Sequence, residues 1–315
     1  MPAKLRLGTR GSKLALTQAR FVSALVTTHQ PEVEVEIVVV KTSGDAGNRD
    51  QVGAFVHEIQ LAILNGTVDF GLHCLKDLPV DPHPDLALVA YLEREDPRDA
   101  LIAPQCSITD LPSRALVGTG SLRRTSQISA LRADLTFRPL VGNIDTRLRK
   151  LCEGEYQAII LAMAGLNRLG LLENWPPEFA ELHATALPSA AMLPAAGQAV
   201  LVLEMRTDRP TPAGVAALDH PQTRDCALAE RAFLKSLGGG CSMPIGALAG
   251  LDGDTLRLEG LVAEPSGRRI LRGVLSGPRD TATALGEALA SGLRRDGADE
   301  IIAALNAHDH TEPAL

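Results

Sequence analysis

The chain has 315 residues, of which 45% are hydrophobic, 22% are charged and only 3% are aromatic, and its formal net charge is −7. These values describe an ordinary globular protein of two or three domains. The negative charge and the few aromatic rings argue against a nucleic-acid partner, and no stretch reaches the ~20 apolar residues of a membrane span.

The N-terminal stretch MPAKLRLGTRGS has no long apolar run and leads directly into a strand pattern. We therefore expect no secretory signal and a cytoplasmic protein.

The N-terminal part alternates between strand and helix patterns. Apolar periodicity predicts strands in KLRLGT, VEVEIVVV, VDFGLHCL and DLALVAYL, which begin at Lys4, Val33, Val68 and Asp85. Ser12 is the predicted cap of a helix after the first strand, and a second helix carries Phe55, Ile59 and Ile63 on one face. Because strand, helix and strand follow one another, the pattern indicates a parallel sheet.

A charged stretch with a proline, EREDPRDA over 93–100, indicates the crossover to a second domain. Strands are predicted in ALVGTG, TFRPLV and QAIILAMAG, and helices over 121–132 and 143–152. Residues 175–194 contain four prolines and are predicted to form a loop. The stretch GQAVLVLEM, over 197–205, is predicted as a strand that returns to the first domain.

The C-terminal part has a different pattern. A helix is predicted over 223–237, followed by a glycine run, a hairpin of TLRLEGLVAE and RRILRGVLSG, and one long helix over 281–305. The fold class is therefore α/β, with two α/β domains and a small α+β C-terminal domain that contains an antiparallel sheet. The predicted domains are 1–95 together with 193–210, then 96–192, then 211–315.

Arginines recur where the predicted strands end, which is the edge at which open α/β sheets bind ligands. GTGSLRR lacks the third glycine of a dinucleotide fingerprint and the GK[ST] of a Walker loop. It fits an anion site at a helix start, and it fits an ordinary capped helix with exposed arginines equally well. Four such strand ends together favour a polyanionic ligand with several carboxylates. The residues at these ends are Arg10, Ser12, Thr119, Ser121, Arg123, Arg124, Arg147 and Arg168.

The stretch HCLKDLPVD has Lys76 and Asp77 at the end of a strand, where adjacent side chains on extended backbone point in opposite directions. Two interpretations of Asp77 stay open. It is either a turn residue before Pro79 or a carboxylate that stabilises a developing cation, by about 4 kcal/mol for a contact of about 4 Å.

The stretch KSLGGGCSMPIG has Cys241 directly after three glycines, which allow the backbone to approach a ligand closely. From the local pattern alone, a tight turn with an incidental cysteine is the favoured interpretation. Cys74, Cys152 and Cys226 lie in predicted strands or helices and are interpreted as buried, inert thiols. Because no two cysteines form a CxxC pair, we expect neither a disulfide framework nor a metal site.

Taken in order, TRGSKLAL, KDLPV, EREDPRDA, GTGSLRR, GNIDTRL, AGLNRLG, LPAAGQ and GGGCSMPIG resemble motifs of the porphobilinogen deaminase (hydroxymethylbilane synthase) family. The resemblance runs from Leu5 to the final helix. It implies three domains, of which the first two are similar to periplasmic-binding-protein-like α/β domains of type II, with the active site in the cleft between them.

The resemblance also implies a transferase of heme biosynthesis. Such an enzyme deaminates four porphobilinogen molecules in turn, adds them to a covalently attached dipyrromethane cofactor, and releases hydroxymethylbilane by hydrolysis. The expected protein acts on this small molecule as a monomer, with no nucleic-acid or membrane partner.

Roles for individual residues follow from the same resemblance. Asp77 is the implied catalytic carboxylate, which would stabilise the cationic azafulvene and pyrrole states, and Cys241 is the implied thioether attachment residue. The residues implied to hold the cofactor are Lys76, Thr119, Ser121, Arg123 and Arg124. The residues implied to bind substrate or the growing chain are Arg10, Ser12, Gln18, Phe55, Arg147, Arg168 and Gln198.

The chain departs from the family pattern at four positions. Val52 stands where a lysine is expected, Val141 where a substrate-binding arginine is expected, Ala199 where a glycine is expected, and Gly120 where a serine is expected. Two alternatives therefore stay open. One is a divergent relative that loads the cofactor but elongates poorly, and the other is a non-catalytic binding protein for a carboxylated ligand.

Overall fold

The computed structural model describes residues 3–41, 56–105, 107–240 and 243–309. The chain forms two compact units, and the division into three domains stays a prediction. The first unit takes Met1–Pro97, Ala164–Leu171 and Gly197–Asp225, and the second takes Arg98–Met163, Leu172–Ala196 and Cys226–Leu315. No helix in the described ranges is both long enough and apolar enough to cross a bilayer.

The strands of the described residues are, in chain order, β1 (Ala3–Thr9), β2 (Val33–Val39), β3 (Phe70–Cys74), β4 (Leu86–Tyr91), β5 (Asp99–Ala103), β6 (Leu116–Gly118), β7 (Thr136–Arg138), β8 (Ala158–Ala162), β9 (His183–Ala186), β10 (Leu201–Arg206), β11 (Ile245–Asp252), β12 (Thr255–Ala263) and β13 (Ile270–Pro278).

The α-helices are α1 (Lys13–His29), α2 (His57–Leu64), α3 (Leu122–Leu131), α4 (Ile144–Cys152), α5 (Met163–Arg168), α6 (Ala213–Ala216), α7 (Pro221–Ser236), α8 (Ala282–Arg295) and α9 (Ala298–Asp309). Short 3-10 helices cover Leu75–Asp77, Ile108–Asp110, Pro177–Phe179 and Arg279–Thr281.

The first unit is built on a five-stranded sheet in the order β2-β1-β3-β10-β4. Strand β1 pairs in parallel with β2 and β3, whereas β10 runs antiparallel to β3 and β4. Helix α1 packs on this sheet because Ala19, Val22 and Val26 recur at helical spacing and are fully buried. Ser12 caps it as predicted, since its Oγ accepts a hydrogen bond from the amide of Ala15 at 3.3 Å. The predicted return of the chain to the first sheet is confirmed by β10.

The second unit contains a five-stranded sheet in the order β7-β6-β8-β5-β9. Strand β6 is parallel to β7 and β8, and β5 is antiparallel to β8 and β9. Its core includes Leu101, Ile128 and Ile160, each at most 1% exposed. The order and the strand directions are those of the first sheet, and the two sheets confirm the α/β fold class.

The C-terminal part forms an antiparallel sheet in the order β11-β12-β13, as predicted for the hairpin of β12 and β13. Helices α7 and α8 pack on this sheet through Phe233 and Leu289. Gly260 of β12 makes room for both, because a Cβ atom there would lie 2.5 Å from the ring of Phe233 and 2.9 Å from Leu289. The predicted small α+β module is therefore present.

Several local predictions are wrong. The long C-terminal helix is divided into α8 and α9 because Gly297 has a φ of 101°, which no continuous helix contains. The predicted strand QAIILAMAG ends at Ala162, and α5 begins at the next residue. Strand β5 begins inside the predicted crossover and β9 inside the predicted loop. All five residues of β5 are buried, so it shows no alternation, and β9 has only four residues.

Candidate active site

Two of the predicted site residues, Lys76 and Asp77, lie in the turn that follows β3, and both are half-buried. The expectation of extended backbone there is wrong. Leu75–Asp77 forms a single 3-10 turn, in which the amide of Leu78 bonds to the carbonyl of Leu75 at 3.2 Å. The turn begins at Leu75, which is fully buried and whose amide bonds to the carbonyl of Val200 at 3.0 Å.

Cys74, the last residue of β3, lies among four charged groups of the first unit. Burial raises the pKa of its thiol and the charge of Asp77 raises it further, whereas Arg168, Lys76 and Arg10 lower it. Cys74 is half-buried, which corrects the interpretation of it as buried. The interpretation of Cys74 as an inert core thiol therefore missed its position beside the predicted catalytic carboxylate.

The segment after β1 contributes Arg10 and Gln18 to the same region. The hydroxyl of Ser12 serves as the helix cap described above. Gln18 is 5% exposed, and its Oε1 lies 3.9 Å from Sγ of Cys74. Among the described residues, Nε2 of Gln18 has no hydrogen-bond partner although it is buried. A buried amide donor without a partner leaves hydrogen-bonding capacity at the site.

Gln198 and Arg168 complete this group. Gln198 is fully buried, its Oε1 accepts a hydrogen bond from Nζ of Lys76 at 3.0 Å, and its Nε2 donates to the carbonyl of Pro97 at 2.7 Å. Arg168, at the end of α5, donates from Nη2 to the carbonyl of Ala199 at 2.7 Å. Burial lowers the pKa of this arginine, while the charges of Cys74 and Glu95 act in the opposite direction.

The first unit thus brings together six predicted site residues, namely Arg10, Gln18, Lys76, Asp77, Arg168 and Gln198. It adds Arg94, which sequence reasoning missed, because Nε of Arg94 donates to the carbonyl of Gln198 at 2.9 Å. Phe55 and Val52 lie outside the described residues, so the prediction for Phe55 stays a prediction.

The second unit holds the predicted cofactor arginines in a different setting. Nη1 of Arg123 lies 2.7 Å from Oδ2 of Asp99, and Arg124 contacts Oδ1 from Nε at 3.1 Å and from Nη2 at 2.7 Å. Arg123 is 3% exposed and Arg124 8%. The interpretation of these arginines as exposed on a capped helix is therefore wrong, and their role toward a cofactor stays a prediction. Asp99 was also missed, although a charged residue in an otherwise apolar strand signals a buried partner.

Thr119 and Ser121 sit between β6 and α3, as predicted. Thr119 is 5% exposed, and its Oγ1 accepts a hydrogen bond from the amide of Ser121 at 3.2 Å. Arg147, in α4, donates from Nε to the carbonyl of Gly142 at 2.8 Å. Next to that glycine, Val141 is 51% exposed.

The three glycines before Cys241 have different structural roles. Gly238 ends α7 with a φ of 66°, and the amides of Gly238 and Gly239 bond to the carbonyls of Lys235 and Leu234 in a Schellman motif. A Cβ on Gly239 would lie 2.6 Å from Ile245, whereas no described heavy atom lies within 4 Å of one on Gly240.

Cys241 itself lies outside the described residues. Of the other thiols, Cys226 is buried as predicted, and Cys152 is exposed, which corrects the interpretation of it as buried. Within the described ranges, no three His, Cys, Asp or Glu side chains converge as metal ligands.

Comparison with known proteins covers both units. Residues 5–212 match the family model "Porphobilinogen deaminase, dipyromethane cofactor binding domain", and residues 225–295 match "Porphobilinogen deaminase, C-terminal domain". Among solved structures, the VFT2 domain of Bordetella pertussis BvgS aligns at 11% identity with a TM-score of 0.41, over 68% of this chain and 84% of that one. This likeness is too low to bear on the fold.

Curated relatives match over nearly their whole length. A protein of Bordetella parapertussis is 46% identical over 313 residues, which cover 96% of each chain, and one of Chromobacterium violaceum is 44% identical over 310 residues, which cover 96% of this chain and 98% of that one. A third, from Syntrophus aciditrophicus, is 42% identical over 306 residues. All three are named porphobilinogen deaminase. The chain therefore belongs to the porphobilinogen deaminase family.

Proposed function

We propose that this protein deaminates porphobilinogen and joins four of these molecules head to tail on a covalently attached dipyrromethane, then releases hydroxymethylbilane by hydrolysis. The observation that carries the proposal is the charge arrangement around Cys74, whose thiol lies among the cations of Arg10, Lys76 and Arg168 and the carboxylate of Asp77. The proposal includes a monomeric protein of the cytoplasm, as the sequence predicts.

The cations of this group match a substrate that carries two carboxylates on each pyrrole ring. Arg168 offers a guanidinium whose planar donors fit a carboxylate in pairs, and Lys76 offers a compact ammonium. Gln18 adds the buried amide donor that has no partner among the described residues. These side chains would bind the two carboxylates of the pyrrole ring and leave the aminomethyl group facing Asp77.

Asp77 is the group that we propose acts on the reacting atoms. As ammonia leaves, positive charge develops on the substrate, and a fixed carboxylate at about 4 Å stabilises such a charge by about 4 kcal/mol at intermediate dielectric. The 3-10 turn holds Asp77 on short, hydrogen-bonded backbone. Little reorganisation is therefore needed during the reaction.

The residues of the first unit also fit the dipyrromethane that the matched family model names. Its acetate and propionate groups are the same chemistry as those of the substrate, and the positive charges of Arg10, Lys76 and Arg168 act on Cys74 in this region. When bound, the dipyrromethane supplies the nucleophilic pyrrole carbon that the first substrate joins. We propose Cys241 as its attachment residue, and Lys76, Thr119, Ser121, Arg123 and Arg124 as its carboxylate and hydrogen-bond partners.

The exposed Val141, where the family pattern has arginine, favours a second candidate. This candidate is a relative that loads the dipyrromethane but elongates it slowly. It differs from the first in the products that accumulate, because short adducts would persist on the protein instead of being released.

The proposal is tested with Asp77→Ala and with Asp81→Ala as the matched control, since Asp81 is an exposed carboxylate of the same loop. We expect Asp77→Ala to fold and to consume porphobilinogen at under about 1% of the parent rate, which corresponds to the loss of a preorganised charge. Asp81→Ala is expected to keep the parent rate. Near-normal turnover in Asp77→Ala would remove that residue from its role.

Intact mass spectrometry tests the attachment. Protein from cells that make porphobilinogen is expected to carry two additional pyrrole units, and Cys241→Ser is expected to carry none. An unmodified parent chain would contradict the proposed function and would favour a non-catalytic binding protein.

A further inference from the structure

The turn Gly197–Ala199 has backbone angles that are unusual for its sequence. Gly197 and Ala199 both have a φ of 72°, in the left-handed region. Glycine adopts this region without cost, but the Cβ of alanine is crowded there by the following carbonyl oxygen. Such a conformation persists only where the surrounding structure holds it.

Three cationic side chains of the first unit hold this turn. Lys76 donates from Nζ to Oε1 of Gln198 at 3.0 Å, Arg94 donates from Nε to the carbonyl of Gln198 at 2.9 Å, and Arg168 donates from Nη2 to the carbonyl of Ala199 at 2.7 Å. The turn therefore connects two predicted ligand-binding cations to Arg94.

Arg94 is itself anchored at its backbone, because its amide donates to Oγ1 of Thr223 at 3.1 Å. Its side chain uses Nε on the turn, an atom that lies close to the stem of the side chain and that lysine lacks. The contact therefore depends on the position of Nε in the Arg94 side chain as well as on its positive charge.

We propose that Arg94 is a positioning residue that fixes the Gly197–Ala199 turn through the carbonyl of Gln198, and thereby orients Lys76 and Arg168 toward the substrate carboxylates. The inference rests on the proposed function, since it takes porphobilinogen as the ligand. Without Arg94 the turn is expected to relax, and both cations would lose their fixed acceptors.

The test measures binding without turnover. In an Asp77→Ala background, the Kd for porphobilinogen is determined by isothermal titration calorimetry for Arg94→Gln, Arg168→Gln and the combination of the two. We expect Arg94→Gln to raise Kd about tenfold, as for the loss of a hydrogen bond to a charged group. The Kd of the combined variant is expected to be no more than about twofold higher than that of Arg168→Gln, because both changes act on the same Gly197–Ala199 turn.

Two further variants separate positioning from charge and from folding. Arg94→Lys keeps the charge but lacks Nε, so its Kd is expected to rise as in Arg94→Gln. Arg20→Gln, at an exposed arginine of α1, is the matched control and is expected to leave Kd unchanged. Thermal unfolding of each variant is recorded, and Arg94→Lys takes the place of Arg94→Gln if the latter does not fold.

The inference is overturned if Arg94→Gln leaves Kd unchanged, if the effects of Arg94→Gln and Arg168→Gln on the free energy of binding simply add, or if Arg94→Lys restores the parent Kd. A merely structural role would lower the unfolding temperature and the fraction of active protein while leaving Kd unchanged. An Asp77→Ala protein that does not bind porphobilinogen at all would instead contradict the proposed function.

Discussion

The Nη1 atom of Arg123 lies 2.7 Å from Oδ2 of Asp99, and both side chains are shielded from water. Arg123 also donates to the carbonyl of Leu193, and Arg124 to that of Ile160. Burial alone would raise the pKa of Asp99, but the two guanidinium groups outweigh it and hold the pKa well below its usual range. The three charged side chains form one cluster that joins β5, α3 and β8.

Replacing Asp99 by asparagine is expected to destabilise the protein by about 3–5 kcal/mol at neutral pH, because two buried guanidinium groups lose their carboxylate. The effect depends on pH. Folded Asp99 keeps its charge to a lower pH than in the unfolded chain, where a carboxyl titrates near pH 4. Its contribution is complete above about pH 4 and is lost as the pH falls toward the folded pKa. Urea unfolding of parent and Asp99→Asn should therefore converge below about pH 4.

The matched control is Asp134→Asn. Asp134 is exposed and forms a two-pronged pair with the half-buried Arg132, with contacts of 2.7 and 2.9 Å. Exposed pairs contribute little to stability, so this variant should unfold nearly as the parent does. Equal losses in the two variants, or a loss in Asp99→Asn that does not vary with pH, would contradict the assignment.

Ala199→Gly is expected to stabilise the protein by about 0.5–1 kcal/mol. Glycine removes about 1–2 kcal/mol of strain from the left-handed backbone of the folded state. It also raises the conformational entropy of the unfolded chain, which offsets part of that gain. Thermal unfolding measures the difference. Ala196→Gly, in the same segment but without a positive φ, should instead lower the stability. A loss in both variants would mean that the backbone at Ala199 is not strained.

Much of this fold follows from periodicity, and the exceptions have physical causes. Helix α1 is predictable because Ser12, Ala19, Val22 and Val26 give both its cap and its buried face. Strand β5 is not, because it is buried on both faces and its first residue, Asp99, resembles the charged crossover before it.

The candidate site likewise contains some residues that could be predicted from the sequence and others that could not. Lys76 and Asp77 could be identified because strand ends in α/β sheets collect ligand-binding groups. Arg94 could not be identified, because it bonds to a main-chain carbonyl 104 residues away. Such a bond places no requirement on the side chain of the partner residue. The pairing of Arg123 with Asp99, 24 residues apart, likewise depends on how the sheet is assembled.

The glycines before Cys241 give a prediction that separates folding from cofactor attachment. Gly239→Ala should lower the stability by about 1 kcal/mol, since its methyl group would press on Ile245 and Leu234. Gly240→Ala should leave the stability unchanged but reduce the fraction of protein that carries the two-pyrrole adduct, because its methyl group enters space that no described residue fills. Intact mass and thermal unfolding measure the two effects. Full loading of Gly240→Ala would show that this glycine leaves no space for the adduct.

Val141→Arg tests the departure from the family pattern. Val141 is 51% exposed, so an arginine there can extend into solvent, and it adds a cation next to Gly142, whose carbonyl accepts a hydrogen bond from Arg147. We expect the KM for porphobilinogen to fall about threefold, in keeping with an exposed charge pair. Val274→Arg, at a residue 43% exposed in β13, is the control and should not change KM. A fall in both would indicate a general effect of net charge.

The two five-stranded sheets share one strand order, so these two parts of the chain repeat one architecture. Strands β1 and β6 hold the same place, and the helix after each has a serine at its N-cap position, Ser12 or Ser121, three residues beyond the strand's last residue. These strands and helix starts of one sheet therefore have counterparts in the other. Exchanging these helix starts between the two sheets would reveal which differences suit each sheet to its own chemistry.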